Sequence, residues 1–415
     1  MRLRKSHSPS EISHDRLESE RHRPCMETQQ LAEKLLSETW GSPVRLENGQ
    51  SLGGSNRSHV NRYQISEGGD GAPASVVVKH AIAGDGEKYD PDASDGASVR
   101  LFNDWAGLQF LSECFGDAPD IPIPRFIAGD RTAGLIVMHD LGAGKGLDHY
   151  LLGNDPIAAE ECMLALFSTL GRVHAVSCGK QERYDAIRSA LGPQNTQPLE
   201  HHIRWHQENQ PKGLALLGLD IPAGFLDEIE EFVTVYRGDS PFRVYSHNDP
   251  CPDNVLWIDG RMTLLDFEFS GMANAAVDMR YPRAIWPTCW CANRTPGWLI
   301  EKLDTAYRSE LVKGCPEAAD DRLFYQQIAA GCADAGMGFL GQGWLDWAIN
   351  KGAKLGDFRP AQQVLSRLDG FAQVSEEHNL FPIMGRTAQA AAKAIRSQLP
   401  GDFREMPIYM AFRGG

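Results

Sequence analysis

The chain has 415 residues, 42% of them hydrophobic and 23% charged, with a formal net charge of −14. That length carries two domains or lobes with substantial cores, and that balance excludes a disordered or fibrous whole. The negative charge argues against a nucleic-acid surface, which needs clustered Lys and Arg, and is compatible with a cationic substrate. Nine cysteines without a CxxC pair read as reduced residues of a cytoplasmic protein. No apolar run approaches the roughly 20 residues of a membrane span.

Residues 1–25 are rich in Arg, Ser, Glu and His and nearly free of large apolar side chains, which predicts a disordered tail. They lack the apolar stretch of a signal peptide. Met26 opens the helical pattern METQQLAEKLLSETW and is a candidate start, which mass spectrometry of the native amino terminus would settle. Three β-like runs follow, VRLENG, HVNRYQI and ASVVVKH, read as an antiparallel meander. After the acidic loop AGDGEKYDPDASDG comes an amphipathic helix in which Val99, Phe102, Leu108, Leu111 and Phe115 recur at helical spacing.

Two further strands, PRFIAGD and AGLIVMHD, lead to the glycine-rich LGAGKG, a hinge. Beyond it the pattern is helical almost to the end, in PIAAEECMLALFSTLGRVHAV, PAGFLDEIEEFVTVY, WLIEKLDTAYRSELV, DRLFYQQIAAGCADAG and TAQAAAKAIRSQL. Only FRVYS, NVLWI and MTLLDF interrupt it as short strands, and there is no internal repeat. The layout is α+β: a tail at 1–25, an antiparallel β first lobe at 26–139, and a mainly helical second lobe at 140–415.

The short strands frame YSHNDPCPDNVLWIDGRMTLLDFE, from Tyr245 to Glu268. Asp249 sits five residues before Asn254 in a proline-punctuated loop, and Asp266 ends the apolar run beside it. Three oxygen-bearing side chains at this spacing suit phosphoryl transfer, one carboxylate holding an acceptor hydroxyl while the other two groups hold magnesium.

His247, Asp249 and Asn254 form an HxDxxxxN loop, and Asp266 and Glu268 a DxE segment. By average residue usage the first trio arises by chance in such a chain with a probability on the order of 0.02. With these motifs behind a β-rich first lobe, the chain resembles the aminoglycoside phosphotransferase and choline kinase superfamily, small-molecule kinases with a bilobal protein-kinase-like fold. The resemblance covers nearly everything from about residue 40 onward. It implies that Asp249 orients the substrate hydroxyl and accepts its proton, that Asn254 and Asp266 bind Mg²⁺, and that His247 braces the loop. Glu268 is divided between the metal shell and a structural role. The loop departs from the family's frequent Gly, Leu, His and Gly at Asn248, Pro250, Cys251 and Asp253, none of which supplies an essential group.

The resemblance also implies an ATP site. Lys79 stands where the third strand presents a lysine to the α- and β-phosphates, with Asp104 as its partner in the next helix where the family usually has Glu. Gly53, Gly54 and Asn56 match the family's GGxxN phosphate-covering hairpin with one spacer fewer, and Met138 and His139 fall at the hinge whose backbone receives adenine. Asp278 matches an aspartate that ties down the segment after the metal site.

The implied partner is a small-molecule hydroxyl acceptor such as an aminoglycoside or amino alcohol, with no nucleic acid or membrane; the residues leave its identity, the choice of ATP or GTP and the oligomeric state open. Trp286, Trp290 and Trp298 could stack on a sugar or box an ammonium, or pack the core. Asp334 and Asp346 could meet a cationic substrate or lie on solvated helix faces. Two other functions compete with the small-molecule kinase. A protein kinase needs a long activation segment, for which the dozen or so residues between Asp266 and Asp278 leave no room. A catalytically silent nucleotide-binding regulator is disfavoured by the presence of Lys79, Asp249, Asn254 and Asp266 together.

Overall fold

The computed structural model describes residues 26–414 apart from 56, 57, 83–88, 195, 287, 288, 342 and 353–355. The expected tail, Asn56 and part of the acidic loop lie outside the described residues. The described chain divides into two compact units, one running up to Leu101 and including Phe126–Asp140, the other comprising Phe102–Arg125 and Leu141 onward.

The first unit is built on a five-stranded sheet, β1 (Arg45–Ser55), β2 (Ser58–Glu67), β3 (Ser75–Ala81), β4 (Phe126–Asp130) and β5 (Leu135–His139), in the order β1-β2-β3-β5-β4 with every pair antiparallel. The meander expected for the first three strands is present, and β5 rather than β4 lies beside β3. Helix α1 (Met26–Trp40) buries Thr28, Ala32 and Leu36, one residue every fourth position and therefore one stripe. Ala32 and Leu36 pack on Val76 and Val78 of β3 and on Leu135 and Val137 of β5, the alternate residues that a pleated strand turns to one face. Thr28 also reaches the sheet through its hydroxyl, 2.8 Å from His80 Nδ1, while His80 Nε2 donates to Ala133 O at 3.1 Å.

Helix α2 (Ala97–Phe115) follows the acidic loop. The second unit then continues with β6 (Lys145–Gly146), α3 (Leu147–Leu151), α4 (Pro156–Ser177), α5 (Gln181–Leu191), α6 (Leu199–Leu216) and α7 (Phe225–Arg237). The chain returns through β7 (Arg243–Ser246), β8 (Val255–Ile258), β9 (Arg261–Leu264), β10 (Gly271–Asn274) and α8 (Ala276–Met279). It ends in α9 (Gly297–Leu311), α10 (Asp321–Met337), α11 (Arg359–His378) and α12 (Pro382–Gln398). The unit is mainly helical, as the α+β, kinase-like class requires.

Helix α4 starts at a full N-terminal cap, Asp155 Oδ1 accepting from Ile157 N and Ala158 N with Pro156 in the first turn. It packs on α9 so closely that a Cβ added at Gly171 would lie 2.4 Å from Tyr307 O. Helix α11 turns polar as well as apolar side chains inward: Gln363, Ser366, Arg367 and Ser375 are all buried. No single described helix is long and apolar enough to cross a membrane.

Two small strand groups carry the motif-bearing segment. β7 pairs antiparallel with β10, and β8 pairs with both β6 and β9. Beside them Gly107 of α2 allows the helix against Tyr245, because an added Cβ would lie 1.8 Å from the tyrosine hydroxyl oxygen. Tyr245 is fully buried and cannot swing into solvent. Gly107→Ala is therefore expected to lower stability by about 1–3 kcal/mol, the usual cost of overpacking, read as a lower urea midpoint at unchanged slope.

Candidate active site

Strand β7 delivers the chain into the HxDxxxxN loop, and a buried carboxylate from α8 fixes the point of entry. Asp278, wholly inaccessible, accepts the backbone N–H of His247 at 2.7 Å and that of Asn248 at 2.9 Å. His174 Nε2 donates to the same carboxylate at 3.0 Å, and the Tyr307 hydroxyl donates to His174 Nδ1 at 2.6 Å. Asn248 takes a positive φ of 65°, the left-handed region that Asn tolerates better than most residues. Its carbonyl accepts from the Tyr281 hydroxyl at 2.7 Å, and the His247 carbonyl accepts from Ser270 Oγ at 2.8 Å.

The loop is tied to the DxE segment by two bonds. His247 Nε2 donates to Leu265 O at 2.8 Å, and Leu265 N–H donates to Asn254 O at 2.9 Å. Strand β9 ends at Leu264, short of Asp266, which lies beyond the ladder at φ 60°. That conformation turns the chain immediately after Leu265. Helix α2 holds the following residues: the Asp104 carboxylate accepts the Phe267 N–H at 3.1 Å, and Asn103 Nδ2 donates to Glu268 O at 3.0 Å. Arg188 of α5 orients Asn103 by donating to its Oδ1 at 2.8 Å. Asn103 and Arg188 carry no motif signal, and only the fold brings them to this segment. Asp104 thus acts on the backbone just after Asp266.

Asp249 is half-buried and accepts the Cys251 thiol at 3.0 Å. Burial raises its pKa above the ordinary aspartate value, while the Cys251 thiol and His247 pull it down and the nearby charge of Asp266 adds to the rise. Asn254 spends its Nδ2 on the Asp249 carbonyl at 2.9 Å, which directs the amide oxygen the opposite way. An amide oxygen from Asn254 and a carboxylate from Asp266 are hard oxygen donors of the kind Mg²⁺ takes, so this donor set fits that ion.

In the first unit, Lys79 lies in β3 with Val60 of β2 and Ile136 of β5 as its neighbours, and is buried. Gly53 and Gly54 fall near the end of β1, with φ of 112° and 134°. At Gly54 a Cβ would lie 2.2 Å from Ser58 O, so the hairpin requires glycine there on two counts. Asn56 lies outside the described residues. Met138 and His139 end β5, Met138 buried and His139 exposed. The next residue, Asp140, is anchored by Arg62 Nη2 at 2.8 Å and Ser75 Oγ at 2.7 Å.

The three tryptophans have different surroundings. Trp286 is core, stacked on Tyr281 with ring centroids 4.8 Å apart. Trp290 is 62% exposed and donates its indole N–H to Asp253 Oδ2 at 3.1 Å. Trp298 is exposed, with Lys302 Nζ 5.1 Å from its ring centroid. Asp334 is committed to structure: burial opposes its charge, yet Arg237, His206 and Arg280 together hold its carboxyl well below the usual range. It lies in a cavity of about 340 Å³ that is also lined by Trp205, His206, Arg237, Arg280 and Phe339. Asp346 pairs with Lys351 at 2.9 Å.

Several solved structures align over most of their length. A streptomycin–ATP–APH(2")-IIa ternary complex has 13% identity and a TM-score of 0.44, covering 87% of this chain and 99% of that one. The macrolide 2'-phosphotransferase MphH from Brachybacterium faecium has 17% identity and a TM-score of 0.43, covering 81% and 98%. Choline kinase from Cryptosporidium parvum Iowa II has 12% identity and a TM-score of 0.40, covering 84% and 89%. No curated protein matches the chain by sequence. The sequence model of the phosphotransferase enzyme family matches residues 63–311, well over half of the chain and the whole of the HxDxxxxN and DxE segments. The chain belongs to the phosphotransferase enzyme family.

Proposed function

We propose that this phosphotransferase moves the γ-phosphoryl group of ATP, with Mg²⁺, onto a hydroxyl of a small molecule such as an aminoglycoside, an amino alcohol or a similar metabolite. The observation that carries the reading is the placement of Asp249 and Asn254 on a loop whose backbone is held from behind by Asp278 and which His247 ties to Leu265, next to Asp266. A transfer of this kind is catalysed mainly by positioning and charge neutralisation, and both need groups that do not move.

In this reading Asp249 accepts a hydrogen bond from the acceptor hydroxyl, aligns it, and takes its proton as the new P–O bond forms and the bond from the γ-phosphorus to the β–γ bridging oxygen breaks, releasing ADP. Burial raises the pKa of Asp249, which makes the carboxylate a better proton acceptor. Asn254 Oδ1 and the Asp266 carboxylate would hold Mg²⁺, which would supply neutralisation of the charge on the transferring phosphoryl group. His247 keeps Asp266 in reach by binding the carbonyl of the residue before it. Lys79 would contact the α- and β-phosphates, the Gly53, Gly54 and Asn56 hairpin would cover them, and the backbone at Met138 and His139 would receive adenine.

A panel of aminoglycosides, amino alcohols and sugars, assayed for ATP consumption with Mg²⁺, tests the reading. Magnesium-dependent turnover of at least one hydroxyl compound is expected. Phosphorylation of proteins only, or no stabilisation by Mg²⁺ and a nonhydrolysable nucleotide in thermal shift, would sink it. Asn254→Ala is expected to raise the Mg²⁺ concentration for half-maximal turnover at least about tenfold, because losing a ligand costs no less than losing an outer partner.

A further inference from the structure

We propose that Cys251, Asp253, Cys289 and Cys291 form a second metal site, for a thiophilic divalent cation of the zinc type, beside the catalytic loop and separate from Asn254 and Asp266. The sulfurs of Cys251 and Cys289 and a carboxylate oxygen of Asp253 all lie within 4.8 Å of one another. Cys291 Sγ is 3.2 Å from Cys289 Sγ. A tetrahedral zinc with Zn–S bonds of about 2.3 Å sets its sulfurs roughly 3.8 Å apart, so the Cys251 and Cys289 sulfurs and the Asp253 oxygen stand near ligand spacing, and rotation of the Cys291 side chain, whose sulfur adjoins that of Cys289, supplies the fourth donor. Four protein donors make a closed site, the coordination number of structural zinc. Mg²⁺ is excluded by the same donors, since it requires oxygen ligands.

The surroundings suit ligation. The three cysteines are buried, while Asp253 is exposed and leaves a way in for the ion. The Trp290 indole N–H holds Asp253 Oδ2, fixing the carboxylate and leaving Oδ1 for the metal, as an outer-shell donor commonly does. Arg359 Nη2 donates to the carbonyls of Cys289, Trp290 and Ala292, at 3.2, 3.1 and 2.8 Å, and so sets the backbone turn that carries both cysteines of the CxC pair. Cys251 and Asp253 stand at loop positions where the family often has His and Gly, and phosphoryl transfer uses neither.

Binding exchanges the thiol protons for the ion and releases them to solvent. As a ligand Cys251 no longer has the S–H that it donates to Asp249 Oδ1, so the metal also acts on the catalytic carboxylate and lowers turnover. This second consequence rests on Asp249 being the base; the site itself does not.

The test is a titration of the full-length chain, reduced and chelator-stripped, with Co²⁺ and then Zn²⁺. One equivalent of Co²⁺ is expected to give thiolate-to-cobalt charge-transfer absorption and tetrahedral ligand-field bands, both abolished by Zn²⁺. Cys289→Ser and Cys291→Ser should each weaken affinity about tenfold or more, while Cys114→Ser leaves it unchanged. Circular dichroism melts establish that each variant is folded. Absence of the charge-transfer band in the folded wild-type chain, or unchanged affinity in folded Cys289→Ser, overturns the site. In the turnover arm, Zn²⁺ at saturating Mg²⁺ is expected to inhibit the wild type and spare Cys289→Ser. Charge-transfer bands without inhibition would support the site and overturn its coupling to Asp249.

Discussion

Asp249→Asn is expected to lower kcat by about 10²-fold or more while leaving the KM for ATP close to wild type, because the change removes a proton acceptor and little else. Asparagine keeps an oxygen for the Cys251 thiol, and the bond from Asn254 goes to the main-chain carbonyl of residue 249, which the substitution leaves in place. The same variant should be more thermostable than the wild type at neutral pH. Burial raises the Asp249 pKa in the folded chain, so folding disfavours its charged form. That penalty is absent below the unfolded value of about 3.9, grows as pH rises through the folded value, and is fully present above it. Asparagine never bears it, so the gain in Tm should appear at neutral pH and vanish in acid. A residue with a merely structural role would lose Tm together with activity. Loss of both at neutral pH would remove Asp249 from the chemistry.

Asp278→Ala should have the largest effect on stability. It strands the N–H groups of His247 and Asn248 and the Nε2–H of His174, all facing a carboxylate with no access to solvent. An unsatisfied buried donor costs about 1–3 kcal/mol, and breaking a buried charged cluster typically costs 3–5 kcal/mol, so a loss of about 3–5 kcal/mol is expected. Turnover measured where the variant is still folded should fall about 10²-fold, since Asp249 follows directly on the two residues released. Asp278→Asn keeps one acceptor oxygen and should fall between. A urea midpoint for Asp278→Ala equal to that of the wild type would show that the carboxylate does not hold the loop.

Local spacing made part of this legible. Asp249, Asn254 and Asp266 sit within one short stretch, and the strands around them could be read from apolar runs between Pro and Gly. The helices with an apolar stripe, such as α1 and α4, were equally plain. What spacing could not supply was the set of distant groups that hold the stretch in place. Asn103 reaches Glu268 across 165 positions and Arg188 reaches Asn103 across 85, and no periodicity encodes such bonds. Asp278 was readable as an anchor only through the family resemblance, and its backing by His174 and Tyr307 appears only in three dimensions. The order β3-β5-β4 is likewise a matter of which edge a strand joins, whereas alternation within a strand reports only its faces. Among the tryptophans, burial separated Trp286 from Trp290 and Trp298, which composition treats alike.

The pairing of β7 with β10 has a consequence for when the loop can move. β7 leads into His247, and β10 leads into α8, whose Asp278 returns to the amides of His247 and Asn248. The two ends of this circuit are thus closed on each other, and those amides can reach solvent only when the ladder and the carboxylate release together. In a deuterium-exchange experiment they should be among the slowest in the chain, exchanging with the free energy of global opening rather than by local fraying. The motions of a catalytic cycle would then belong to less protected segments, with the loop that bears Asp249 serving as the stationary reference.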